Sequence, residues 1–161
     1  MIYKKAVIIA VASVLAIVVV VLASQGDESN TADIEKAILE RLAEIQDVAQ
    51  GMDPEKVFSY VLENDKGALI TDGKLFLTRQ EAFESTKRGF EGLQMVDYKF
   101  YQQHVTTLSP TVALAVSEGS TSFTTADGRS FITPFAQTVV FVLSDGEWQV
   151  LHAHRSFPRQ R

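Results

Sequence analysis

From residue 6 to residue 23 the chain is apolar at every position except Ser13. A polar stretch, residues 25–30, follows and reads as a linker. Then the spacing changes. Ile34, Ile38, Leu42, Ile45 and Val48 recur at helical intervals with charged residues between them, which predicts an amphipathic helix from about Thr31 to Gly51. Asp53-Pro54 offers an N-cap and a proline at the first helical position, and Val57, Phe58, Val61 and Leu62 give that second, short helix an apolar face. Ala68 to Thr71 and Lys74 to Leu77 flank Asp72-Gly73, a tight hairpin signal. Thr78 with Glu81 forms a capping box that opens a third helix. The last third is strand-like: Met95 to Thr107, Val112 to Thr124, Phe131 to Leu143 and Trp148 to Phe157, separated by Ser109-Pro110, Asp127-Gly128 and Asp145-Gly146. Pro134 demands a bulge or an edge position. Helices first and a meander afterwards predict an α+β fold, a cone-shaped curved antiparallel sheet wrapped around three N-terminal helices and preceded by one apolar helix.

The apolar run is a targeting or anchoring element. Lys4 and Lys5 precede it and are the only charges before Asp27. Residues 1–24 read as a signal peptide or anchor segment, with Val21 and Ala23 small residues placed for cleavage before Ser24. The length of the run, 18 residues, equally suits an uncleaved single-span anchor. Either way the lysines keep the N-terminus in the cytoplasm and the domain, residues 31–158, outside it, with 159–161 as a tail. The expected location is therefore the cell envelope, membrane-anchored or secreted.

Composition narrows the chemistry. Without Lys4 and Lys5 the chain has 13 Lys and Arg against 20 Asp and Glu, a net charge of −7. Such a domain repels phosphate backbones, and no nucleic-acid partner is expected. The absence of cysteine excludes disulfides, thiolate metal sites and cysteine nucleophiles. Phosphate-binding glycine loops, a Gly-x-Ser-x-Gly elbow and a His-Glu-x-x-His motif are also missing, and the sequence calls for no cofactor.

The order of elements, closed by Glu147-Trp148-Gln149-Val150-Leu151-His152-Ala153-His154-Arg155-Ser156, resembles the nuclear transport factor 2-like superfamily. Within it, the chain resembles the SnoaL-like branch and the association domain of calcium/calmodulin-dependent protein kinase II. Gly92-Leu93 leading into Lys99-Phe100-Tyr101, and Leu108-Ser109-Pro110-Thr111-Val112, look like segments of the latter. The resemblance implies a homodimer around a hollow domain holding a small, partly apolar molecule or none. It equally admits a cofactor-independent isomerase, cyclase or dehydratase. It implies that Tyr98 and Arg155 line the pocket, whereas Gly119 and Val139 stand near positions where the kinase domain carries further pocket arginines.

Several side chains are candidates for chemistry. Asp97 and Tyr98 are adjacent on a strand and face opposite ways. An Asp97 inside the cone would be a general base raised by desolvation, and Tyr98 would polarise a carbonyl. Arg155 offers a fork for a carboxylate. Glu118 faces pocket or water, and Phe58, Tyr60 and Phe76 are placed to line the mouth. Strict alternation along the last strand puts Trp148, Val150, His152 and His154 on one face, as dimer interface or core, and Arg155 on the other. A metal held by His152, His154 and His104 lacks a carboxylate partner, so no metal site is expected.

Overall fold

The computed structural model describes residues 30–158. The apolar segment 1–24 and the tail 159–161 lie outside the described residues. Among the described residues no helix is long and apolar enough to cross a membrane.

Helix α1 runs over residues 30–50 and ends at Gly51, where Met52 takes a left-handed turn. In α2 (Pro54–Ser59) the Asp53 side chain accepts from the Lys56 N–H at 3.1 Å, as its sequence predicts. The hairpin β1 (Leu69–Thr71) and β2 (Lys74–Phe76) turns through Asp72 and Gly73, both at positive φ. Helix α3 (Arg79–Phe90) opens on the reciprocal Thr78–Glu81 capping box. Four long strands complete the chain: β3 (Leu93–Ser109), β4 (Val112–Thr125), β5 (Ser130–Ser144) and β6 (Glu147–Ser156). At the β4–β5 turn, Thr125 and Arg129 both donate to the Asp127 carboxylate; the Thr125 bond, ahead of the Arg129 contact, holds its pKa below the ordinary value.

The sheet order is β2-β1-β6-β5-β4-β3. It is antiparallel except for one pair, since β1 runs parallel to β6. This departs from the wholly antiparallel expectation for a local reason. After α2 the chain settles alongside β6 in the same direction: Val150 N donates to Tyr60 O at 2.8 Å and Leu62 N to Val150 O at 2.9 Å. The hairpin therefore joins the sheet from that side. Pro134 sits within β5 opposite Ser120, with no bulge toward β4. Because β6 ends at Ser156 opposite Ala136, the Pro134 end of β5 is locally an edge, which is where a missing N–H is tolerated.

Two cores hold the layers together. Ile34, Ile38 and Leu42 of α1 pack on Ala113, Ala115, Val139, Phe141, Trp148 and Val150. Alanines at 113 and 115 keep the sheet low, so the helix approaches closely. Full burial of Ile38 contributes about 2–3 kcal/mol. The second core joins Phe58 to Phe76, Ala82 and Phe83, with Phe58 and Phe83 edge to face at 5.5 Å. Arg79 ties α2 to α3. Its guanidinium donates to the carbonyls of Phe58 at 2.5 Å and Val61 at 2.9 Å, satisfying groups that the short helix leaves open.

Four register shifts interrupt the ladders of the described strands, and two of them fall away from the ends of β3 and β6. Against β4, Tyr101 is an extra residue between the Phe100–Gly119 and Gln102–Glu118 pairs. A Cβ on residue 119 would lie 2.3 Å from the Lys99 carbonyl oxygen, so only glycine fits. Against β5, Leu151 is an extra residue between the Phe141–Val150 and Val140–His152 pairs. Asn64 stitches this second bulge, donating to Leu151 O at 3.0 Å.

Two substitutions test these supports. Gly119→Ala is expected to destabilise the fold by about 3 kcal/mol or more, because backbone rather than side chain must yield. Arg79→Met is expected to cost about 2 kcal/mol through its two charge-assisted bonds. Denaturant unfolding of each variant measures both, and losses below about 0.5 kcal/mol would contradict them.

Candidate functional site

Register assigns every sheet residue to a face, because residues directly opposite one another point the same way. Toward the helices, successive rows read Ala113–Phe141–Val150, then Ala115–Val139–Ala153, then Ser117–Gln137–Arg155, then Gly119–Phe135, then Tyr98–Thr121–Thr133. The first two rows are the floor under α1. Between the later rows and helices α2 and α3 the sheet leaves a cavity of about 670 Å³. Its walls are largely apolar, with Val57, Phe58, Phe90, Leu93, Val96 and Phe123 among them.

Arg155 is the one cation among the described residues lining this space, and Asp72, exposed on the β1–β2 turn, is the one carboxylate. The Arg155 guanidinium lies 4.9 Å from the Phe135 ring centroid and 5.3 Å from that of Tyr98. Those two rings meet edge to face at 6.3 Å, and Phe100 meets Phe135 the same way at 5.4 Å. Gln137, opposite Arg155 in the register, accepts from its Nε at 3.2 Å and from its terminal nitrogen at 2.7 Å through one amide oxygen. A guanidinium only donates, so the Gln137 amide nitrogen is left facing away from it as a further donor. Among the described residues no carboxylate forms an ion pair with Arg155.

Tyr98 is fixed from behind. Its backbone N–H donates to Gln50 Oε1 at 3.2 Å and its carbonyl accepts from Gln46 Nε2 at 2.9 Å. Two glutamines near the end of α1 thus stand in for a neighbouring strand along the β3 edge.

The sequence-derived candidates divide sharply. Tyr98, Arg155 and Phe58 line the cavity. Asp97 does not: it is exposed, pairs opposite Ser122 and faces outward, so it is not a desolvated base inside the cone. Glu118 is also exposed on the outer face. Phe76 is buried in the second core rather than at the mouth. Tyr60 packs beneath the Arg41 guanidinium at 5.2 Å, away from the cavity lining.

Alternation fails along β6 because of the Leu151 bulge. Trp148 and Val150 belong to the core under α1, while Ala153 and Arg155 continue that same inner face. His152 leaves it; its Nδ1–H donates to Gly67 O at 2.7 Å. His154 and His104 are exposed on the outer face, on strands separated by β4 and β5. Among the described residues no cluster of His, Asp or Glu is arranged to hold a metal. Gln137, Phe135, Gln46 and Gln50 escaped the sequence reading. Only strand register brings the first two to Arg155, and only helix docking brings the last two to Tyr98.

With this geometry in view, known proteins give a consistent picture. A family model for the SnoaL-like domain matches residues 38–160. No curated protein matches the chain. Among solved structures, a candidate dehydratase of the nuclear transport factor 2-like family from Streptomyces avermitilis superposes with a TM-score of 0.71 at 13% identity, covering 80% of this chain and 99% of the other. A candidate calcium/calmodulin dependent protein kinase II association domain from Xanthomonas campestris gives 0.68 at 15% identity, over 77% of this chain and 87% of that one. A ketosteroid isomerase-like protein from Erwinia carotovora atroseptica gives 0.65 at 19% identity, over 78% and 96%. At these identities the structures speak for the fold alone, and the family model makes the assignment: the chain belongs to the SnoaL-like domain family.

Proposed function

We propose that this domain is a binding module for a small, mainly apolar molecule that carries one carboxylate, presented outside the cytoplasm by the segment that precedes it. The observation that carries this reading is Arg155. It sits in a largely apolar cavity, oriented by Gln137 and two ring faces, with no carboxylate paired to it among the described residues. Its unshared donors, together with the Gln137 amide nitrogen, ask for an anionic acceptor. The cavity volume and apolar walls suit a compact organic acid.

Dehydratase and isomerase chemistry, which two of the structural neighbours carry in their names, would need acid–base groups converging inside the cavity. Among the described lining residues there is no histidine, and the single carboxylate, Asp72, is exposed on a turn. Binding is therefore the reading with more support. A second copy of the chain is proposed to pack on the outer sheet face, where Val116, 40% exposed, stands in one row with His104, Thr138 and His154. Export rests on Lys4 and Lys5 ahead of the apolar run.

Two measurements decide these points. In isothermal titration of the full chain in lipid nanodiscs, 3-phenylpropanoate is expected to bind, and Arg155→Met to weaken it tenfold or more, about 1.4 kcal/mol. No binding, or equal binding by the variant, would refute the anchor. Joined to alkaline phosphatase after Arg161 in a bacterial host, the chain is expected to give an active reporter, and an inactive one would refute export. The N-terminal residue of the product then separates a cut before Ser24 from an intact anchor.

A further inference from the structure

The cavity holds a second polar feature apart from Arg155. Tyr98, Thr121 and Thr133 are directly opposite one another across β3, β4 and β5, and all three line the cavity. Three hydroxyls thus form one inward row. On either side the inward residues are apolar or lack a side chain: Phe100, Gly119 and Phe135 toward Arg155, then Val96, Phe123 and Phe131 in the other direction. The hydroxyls are concentrated where the surrounding wall is aromatic.

These groups are incompletely used by the protein. Thr121 is 8% exposed and its hydroxyl has no hydrogen-bond partner among the described residues. Tyr98 has both backbone groups engaged by Gln46 and Gln50, yet its phenol meets no partner among the described residues. Tyr101, three residues on and facing outward, is different: its hydroxyl pairs with Ser120 Oγ at 2.7 Å. Half-buried tyrosine hydroxyls ordinarily find such a partner, and an unmatched one beside a cavity is an invitation to a ligand.

The spacing defines what would fit. The Arg155 guanidinium lies at the level of the Phe135 ring, 4.9 Å from its centroid. The hydroxyl row is two residues further along β5, a step of about 7 Å. Resting on the reading of Arg155 as a carboxylate anchor, we infer that Tyr98, backed by Thr121 and Thr133, selects a second oxygen on the same molecule. The ligand class is then a carboxylic acid bearing a hydroxyl or carbonyl oxygen at its far end, with an apolar body between the two. Tyr98 is the specificity-determining residue, because its phenol can both donate to a carbonyl and accept from a hydroxyl.

A matched pair of probes tests this. The full chain in lipid nanodiscs is titrated with 3-phenylpropanoate and with 3-(4-hydroxyphenyl)propanoate, which differ only in an oxygen at the end remote from the carboxylate. The hydroxylated acid is expected to bind roughly tenfold more tightly. Tyr98→Phe keeps the ring, its edge-to-face contact with Phe135 and its stacking with Arg155. It is expected to bring the two acids within twofold of each other, a change in their ratio that a general weakening of the site would not produce. Measurable binding of 3-phenylpropanoate by the variant also reports an intact fold. An equal affinity of the two acids for the native chain, or an advantage that survives in Tyr98→Phe, overturns the inference while leaving the Arg155 anchor standing. If neither acid binds, the anchor fails and the inference falls with it.

Discussion

The backbone of β3 comes so close to Gly119 that a single added carbon at that position would overlap the Lys99 carbonyl oxygen. Much of the architecture depends on this approach. It occurs where Tyr101 bulges out of the β3–β4 ladder, and a bulge sharpens the local twist of the strand that carries it. The sheet curves over the helices instead of lying flat. Phe135 lies directly opposite Gly119, and Phe100 and Tyr98 close on it edge to face. That aromatic group is the surface on which the Arg155 guanidinium rests. A side chain at 119 would push apart the strands that place these rings, so the candidate site depends on a residue with no chemistry of its own.

The second bulge does different work. Leu151 is the extra residue, and Asn64, arriving from the loop after α2, occupies the carbonyl that the bulge exposes. Beyond it the inner face of β6 continues from Val150 to Ala153 and Arg155, not to His152 and His154. The small step lets one strand serve both core and cavity. Its first half buries Trp148 and Val150 under α1, and its second half delivers a long cationic side chain to the hollow. The parallel pairing of β1 with β6 depends on the same loop, since Asn64 also donates to Gly67 O just before Ala68 engages Ala153.

This explains how much could be read from the sequence. The caps at Asp53 and Thr78, the Asp72-Gly73 turn and the four strands are local features, set by residues within a few positions of one another, and they appear where the pattern puts them. Side-chain direction was harder. Asp97 and Tyr98 must face opposite ways, but alternation alone leaves open which of them turns inward; the docking of Gln46 and Gln50 against β3 accompanies the observed choice. On β6 Trp148 is core, as the sequence allowed, but alternation sets it on the face opposite Arg155, and the bulge that joins the two faces is fixed by contacts far away in sequence. Phe76 and Tyr60 illustrate a third limit. An aromatic residue near a turn fills core or stacks on an arginine as readily as it lines a mouth, and composition does not distinguish these fates.

The electrostatics of Arg155 bear on the proposed binding reading more directly than the fold does. A guanidinium drawn partly out of water must be compensated, and proteins commonly do this with an acidic partner. Here the compensation comes from neutral groups: the Gln137 amide dipole and two ring faces. They stabilise the charge without cancelling it, so the positive potential remains directed into the apolar space. A built-in carboxylate would have quenched that potential and filled the donors that an incoming acid needs. Histidine or carboxylate inside the hollow would have supplied a proton acceptor, and among the described lining residues only exposed Asp72 approaches that description. On the proposed reading, a cation oriented by neutral groups and left without an acidic partner among the described residues is suited to hold an acid in place.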